Sequence, residues 1–310
     1  MVLPASLILV AAAPLSGLDR RALARDAEAG RLVRVRRGAY VQRDEWDRLD
    51  EAGRHRLMAH AAQAQFARPL VFSHWTAAAL LGLPTFVERL ARVHVTVPPD
   101  GIRGAAGLAE HALPLPESDV IEVEGLRCTG WERCVVDLAA SERFSHAVAV
   151  ADAALHRLDP AVRELGREAL RAAWRRGQPR RERGKVADVI AFADGRSESV
   201  GESLSRCTMR ALRVPPPELQ HEFYDRRGRL LARVDFWFPE FRVAGEMDGR
   251  VKYLDPALSK GDPARVVYEE KLREDAVRAQ DVRFARWGYR EADSPALLGP
   301  RLEAAGVRPR

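Results

Sequence analysis

Lysine is almost missing from this 310-residue chain: it occurs only at Lys185, Lys252, Lys260 and Lys271, and the rest of the 50 basic residues are arginine. A GC-rich coding sequence accounts for so much arginine, which makes each lysine more informative. Cysteine is equally sparse, with Cys128, Cys134 and Cys207 forming no Cys-x-x-Cys pair. That excludes a disulfide framework and a thiolate zinc site and fits a reducing cytosol. Long apolar runs are lacking too. Met1 to Leu18 carries no charge, but Pro4 and Pro14 interrupt it and no positive residue opens it. It is read as neither a membrane span nor a secretory signal, so the expectation is a cytoplasmic protein without membrane association. With 46 % hydrophobic and 30 % charged residues, the composition excludes a disordered tail or a collagen-like chain. The net charge of +6 permits a polyanionic partner without requiring one.

What is present divides into four pieces, and the expected fold class is α+β multi-domain. Residues 1–44 open with a helical pattern over Leu18 to Ala29, which Gly30 terminates. Arg31 to Arg36 alternates strictly as a half-buried strand, Arg37-Gly38 turns, and Ala39-Tyr40-Val41 returns. Helix plus two-stranded ribbon is the back half of a winged helix-turn-helix. Eight arginines against three acids between Asp19 and Arg43 give this segment a basic surface suited to phosphate contacts. Arg20, Arg21, Arg25, Arg31, Arg34, Arg36 and Arg37 are the candidate DNA-binding residues. A solvated arginine face is the plainer alternative. The run Gly30 to Val41 resembles the N-terminal winged helix of AbiEi-type antitoxins of type IV toxin–antitoxin systems. That resemblance implies double-stranded operator DNA as one partner and a cognate nucleotidyltransferase-type toxin as another.

Residues 55–158 read as a mixed α/β middle region. Ser73 to Leu80 is a helix closed by Gly82-Leu83-Pro84, Val93 to Val97 alternates as a strand, and Val123 to Thr129 is a hairpin arm before a helix start at Thr129-Gly130-Trp131-Glu132. The same order of motifs is similar to the middle of AbiEi-like regulators. His74 and His94 lack a nucleophile partner or metal-ligand spacing and are read as packing or capping residues. Residues 159–196 read as a basic helical linker, two helices interrupted at Gly177-Gln178-Pro179. The alternative is a phosphate-contacting track through Arg171, Arg175, Arg176, Arg180, Arg181, Arg183 and Lys185.

The chemistry-bearing piece is 197–310. A helix over Ser197 to Leu212 carries Glu198, Glu202 and Arg206, and strands follow at Leu219 to Tyr224, Leu230 to Phe238 and Phe241 to Glu246. A two-residue loop at Pro239-Glu240 would pair Asp235 with Ala244. Asp235, Ala244, Glu246 and Asp248 would then share one face, and Val234, Phe236, Phe238, Phe241 and Val243 the other. Asp235 and Glu246 would be diagonal neighbours about 7–8 Å apart. A loop one residue longer would reverse that relation. Carboxylates about 4 Å apart repel by about 4 kcal/mol at an effective dielectric near 20, so a cluster calls for a cation. Oxygen-only ligands with open positions suit Mg2+ or Mn2+, which activates water for phosphoryl chemistry.

Val234-Asp235-Phe236, Gly245-Glu246-Met247-Asp248-Gly249 and Lys252-Tyr253 resemble the PD-(D/E)XK nuclease superfamily, in its Vsr-like branch. So does Tyr268 to Asp275, read as a helix running toward Gly288 with Tyr268, Leu272, Ala276 and Ala279 buried. The resemblance implies an α/β/α domain with Asp235, Glu246, Asp248 and Glu202 as metal ligands and Asp235, Glu246, Asp248, Lys252 and Lys271 as catalytic residues. Asp248 stands where that superfamily has lysine, and Lys252 or Lys271 would supply the cation. Plainer alternatives stand beside this reading: a capped turn for Glu246 and Asp248, a surface ion pair for Glu198, Glu202 and Arg206, and a solvated face for Glu270, Arg273, Glu274 and Asp275. Tyr253 stacks on a base or covers a sheet edge. Two functions follow: a DNA-binding protein with a Mg2+-dependent endonuclease-like domain, or a non-enzymatic antitoxin-like repressor with a degenerate nuclease fold.

Overall fold

The computed structural model describes residues 6–10, 20–100, 104, 107–177, 182–248 and 273–310. Helices and several sheets are mixed, as α+β composition requires, and the chain forms two compact units. The first comprises Met1–Arg143 with Glu164–Ala191, the second Phe144–Arg163 with Phe192–Arg310. Among the described residues no helix is long and apolar enough to cross a membrane.

In the first unit, β1 (Ile8–Leu9), β2 (Leu32–Arg36) and β3 (Ala39–Gln42) form a sheet ordered β1-β3-β2. Leu23 of α1 (Arg20–Glu28) packs on Leu32 and Tyr40 in a small core. The anticipated helix stop and turn fall at Gly30 and Gly38, with φ of 75° and 74°, where a Cβ would be strained. The hairpin is less regular than strict alternation implies. Arg34 faces Tyr40 but Arg36 faces Ala39, so a bulge separates the two arginines.

α2 (Arg43–Asp47) leads into α3 (Glu51–Gln63), whose N-terminus is capped by Asp50 accepting from Gly53 N–H at 2.7 Å. A second sheet, ordered β6-β5-β4-β8-β7, joins β4 (Val71–Phe72), β5 (Val93–Val97), β6 (Leu108–Ala112), β7 (Val120–Val123) and β8 (Leu126–Thr129). Two positive-φ residues, Glu124 and Gly125, close the β7–β8 hairpin, the turn whose twist matches that of the strands. α4 (His74–Leu80) and α5 (Trp131–Ser141) pack against each other in this unit. Ser73 precedes α4 as anticipated, though its side chain makes no cap bond.

α6 (Phe144–His156) belongs to the second unit, so residue 158 is not the boundary there; α7 (Arg163–Gly177) and α8 (Arg183–Phe192) lie almost wholly within the first. These two helices are not a solvated linker. Leu170, Ala173, Val186, Val189 and Ile190 are buried, an apolar stripe that packing fixes. Their arginines are largely engaged: Arg167 and Arg171 with Glu164, Arg171 also with Glu168, and Arg176 with Asp119 at 2.9 Å.

In the second unit, α9 (Val200–Ala211) packs on α6, where Asp152 accepts from Ser203 at 2.8 Å and Arg206 at 2.7 Å. The sheet runs β12-β11-β10-β9 and is built from β9 (Glu218–Tyr224), β10 (Leu230–Phe238), β11 (Val243–Met247) and β12 (Arg283–Trp287). β11 and β12 are parallel and the other pairs antiparallel. α10 (Tyr289–Ala292) and α11 (Pro295–Ala305) follow. Three sequence expectations need correction. The β10–β11 connection has four residues, because Pro239–Phe241 forms a 3-10 turn and Arg242 takes φ 49°; the facing pairs are therefore Phe238–Val243 and Trp237–Ala244. Residues 283–287 form a strand rather than the end of a helix. The helical segment 273–278 buries Val277, while Ala276 is half-buried and Ala279 exposed.

Candidate functional site

The sheet of the second unit positions the acids, and a break in its alternation decides where they go. Phe236, Phe238 and Val243 pack with Leu204, Leu219 and Trp287 on the α9 side, whereas Trp237 and Ala244 pack with Phe223, Val277 and Val282. Val234 joins this second group rather than that of Phe236, so the strand reverses phase between residues 234 and 236. β9 reverses at the same level. Leu219 lies with Phe236, His221 stacks on Trp237, and Gln220 between them has φ 55°.

Asp235 stands at this reversal. One carboxylate oxygen accepts from Met247 N–H at 2.9 Å, just past the last β10–β11 pair, Phe236–Gly245. Asp235 also acts on Glu202: burial first and then the Asp235 charge hold the Glu202 carboxyl above its ordinary proton affinity. Glu202 is 6 % exposed. It accepts from Glu198 N–H at 2.9 Å, Ser199 Oγ at 2.8 Å and the Gln220 amide at 2.9 Å. Ser199 Oγ in turn accepts from Glu202 N–H at 3.2 Å, a reciprocal cap at the start of α9. The anticipated ion pair of Glu198 or Glu202 with Arg206 does not form; Arg206 binds Asp152, and Glu198 binds Arg233 at 2.8 Å.

Glu246 goes elsewhere. Its neighbour Met247 packs against Gly201 of α9, so period two turns Glu246 the other way. There the Arg286 guanidinium, facing it from β12, contacts Glu246 at 3.0 Å, Glu274 at 2.8 Å and Asp248 at 3.6 Å. Asp235 thus acts on Glu202, while Glu246, Asp248 and Glu274 gather about Arg286. Lys252, Lys271, Tyr253, Tyr268 and Glu270 lie outside the described residues. Among the described residues, no three His, Cys, Asp or Glu side chains come together so as to hold a metal ion.

Of the candidate DNA-contacting arginines, Arg21, Arg25, Arg31, Arg34 and Arg37 are exposed. Arg31 pairs with Asp26, and Arg36 turns back to donate to Gly107 O at 3.3 Å, with burial lowering its proton affinity. Arg34 and Arg37 make no ion pair among the described residues. The side chain of Arg20 is outside them.

Sequence reasoning overlooked a second constellation. His74, His94 and His111, from α4, β5 and β6, form a stack in the first unit, with 3.5 Å between the His74 and His111 ring centroids and 5.2 Å between His94 and His111. No spacing signal announces it, because the three come from separate elements. Arg286 was also missed. The Ser199-Val200-Gly201-Glu202 pattern is the signal that could have identified the cap.

No protein-family model matches the chain. Two proteins of Mycobacterium tuberculosis, uncharacterized protein Rv2248 of strain H37Rv and uncharacterized protein MT2308 of strain CDC 1551, are each 32 % identical to it over 236 residues, covering 72 % of this chain and 82 % of theirs. The chain belongs to the Rv2248 family. Kinship within the Rv2248 family assigns no activity. The RV2827C protein of M. tuberculosis matches at a TM-score of 0.38 and 14 % identity over 71 % of this chain and 83 % of that one, too distant to speak for fold or function.

Proposed function

We propose that this chain is a duplex-DNA-binding regulator whose first unit carries a winged helix and whose second unit has a PD-(D/E)XK-like fold used without catalysis. The observation that supports a non-catalytic second unit is Arg286, which gathers Glu246, Asp248 and Glu274 while Asp235 faces Glu202. DNA binding draws on the exposed Arg34 and Arg37 beside α1, placed for phosphate contacts that release counterions. The resemblance to AbiEi-type antitoxins adds a nucleotidyltransferase-type toxin as the protein partner and the cytoplasm as the location.

Fluorescence anisotropy on promoter-derived duplex, run across salt concentrations, tests this reading. The double variant Arg34→Ala, Arg37→Ala is expected to flatten the slope of log K against log salt by about 0.9 for each phosphate no longer neutralised. Asp235→Ala is expected to leave it unchanged. Salt-independent binding, or none, overturns the proposal.

A second reading, a Mg2+- or Mn2+-dependent endonuclease, is favoured by one observation: two carboxylates, Glu202 and Asp235, close enough to raise the proton affinity of the first. It needs Glu246 to leave Arg286. Supercoiled plasmid incubated with either metal decides: cleavage abolished in both Asp235→Ala and Glu246→Ala establishes the endonuclease, and intact plasmid under every metal removes it.

A further inference from the structure

The imidazole stack has a use that nothing above assigns. His111 is its central ring. It stacks on His74 at an interplanar angle of 15°, and its Nε2 lies 3.0 Å from His94 Nδ1, so one nitrogen donates and the other accepts. β6, which carries His111, stands at the end of the strand order among the described residues and pairs with β5 through five positions from Val93–Leu108 to Val97–Ala112. Ring contacts therefore supplement one parallel ladder in holding it.

The surroundings weigh against a proton, with a backbone hydrogen bond to Arg89 that favours the charged form of His94 as the contrary contact. Arg92, which donates to Leu108 O, and Arg133 are the charged side chains that act on the stack, and both are cationic. Asp137 and Asp119 are bound to Arg133 at 2.8 and 3.4 Å. Glu110, next to His111 in β6, accepts from Gly104 N–H. Cys134 donates its thiol to His74 O. Ser73 Oγ lies 3.0 Å from His74 Nδ1. From α3, His55 fixes the hydroxyl beneath His94: its Nδ1 must donate to Leu90 O, so in the neutral ring Nε2 accepts from Thr76 Oγ1, which itself accepts from His94 N–H. A charge on any of these rings places two cations together or undoes a donor–acceptor pair.

We propose that the stack of His74, His94 and His111 is an acid-sensitive clasp that holds the edge strand β6 on its sheet. Burial supports the same direction, keeping His94 and His111 down at about 4 and His74 well below its ordinary value. Opening β6 returns the imidazoles to water, where they take up protons from about pH 6.5 downward. The clasp is independent of the DNA-binding proposal.

Hydrogen exchange of the full-length protein between pH 7.5 and 5, corrected for the intrinsic exchange rate, provides the test, with β8 amides as reference. The opening constant of β6 is expected to rise by up to tenfold per pH unit for each imidazole freed, relative to β8. His111→Phe, which stacks but cannot titrate, is expected to remove one such factor. Equal pH dependence of β6 and β8, or an unchanged dependence in His111→Phe, overturns the clasp. Should that variant fail to fold, imidazole 15N shifts of the wild-type protein decide the matter: His111 neutral at pH 5.5 supports the clasp, and a midpoint near 6.5 overturns it.

Discussion

Each unit gathers ionisable side chains into one place, and the two units neutralise them by opposite means. In the first, burial and the nearby cations of Arg133 and Arg92 hold His74 and His111 neutral. In the second, Glu246, Asp248 and Glu274 share one guanidinium. A buried imidazole kept neutral loses stability as pH falls below about 6.5, whereas a carboxylate paired with a guanidinium loses it only as acid reaches the carboxylate range near 4. The units should therefore fail under different conditions.

Acid offers the largest contrast. His55, His94 and His111 are held at about 4 by burial, so the unfolded chain binds protons first and stability falls as pH drops from 6.5 toward 4. Asp137, pushed up to about 6 by burial, works in reverse and offsets one of them. With His74, held well below its ordinary value, counted too, these groups are expected to cost the first unit up to about 4 kcal/mol per pH unit. In the second, Asp152, raised to about 6 by burial, and Glu202 take up protons in the fold and gain stability over that range. Hydrogen exchange at pH 7 and pH 5 should show the first unit opening first; the reverse order breaks the comparison.

Next in size is the removal of one cation from each unit. Arg133 is 2 % exposed between Asp119 and Asp137, and Arg133→Leu strands the buried Asp137, while Asp119 keeps Arg176, at a cost of about 3–5 kcal/mol in urea unfolding. Arg286 is 31 % exposed, and its water-screened partners make Arg286→Leu milder, about 1–2 kcal/mol. Equal losses would mean that burial does not set the difference. Smallest in chemical scope is Gly245→Ala. An added Cβ would lie 2.6 Å from the Trp287 ring, and a loss of about 1–3 kcal/mol is expected with no change in pH dependence.

Much of this architecture is readable from local pattern. Val93–Val97 alternates and is a strand, the Glu124-Gly125 turn closes the β7–β8 hairpin, and the four-residue step from Pro239 to Arg242 differs from the expected loop by an even number, which alone would have left the shared face intact. What sequence could not show is the phase reversal at Gln220 and Asp235, which a period-two rule cannot contain because backbone twist in two strands produces it. β12 escaped notice because its arginines at 283 and 286 spoil both periods. The histidine stack and the role of Arg286 depend on elements far apart in the chain, and no local window holds them together.

The reversal has one more consequence. Had the phase of Phe236 and Phe238 extended back to residue 235, that residue would point into the aromatic nest of Phe223 and Trp237, whose rings meet edge-to-face at 5.0 Å. A carboxylate there would meet oily ring faces instead of the amide of Met247. The left-handed twist at Gln220 thus acts like a railway switch, diverting a polar side chain from one track to another while the hydrophobic carriages behind it keep their line.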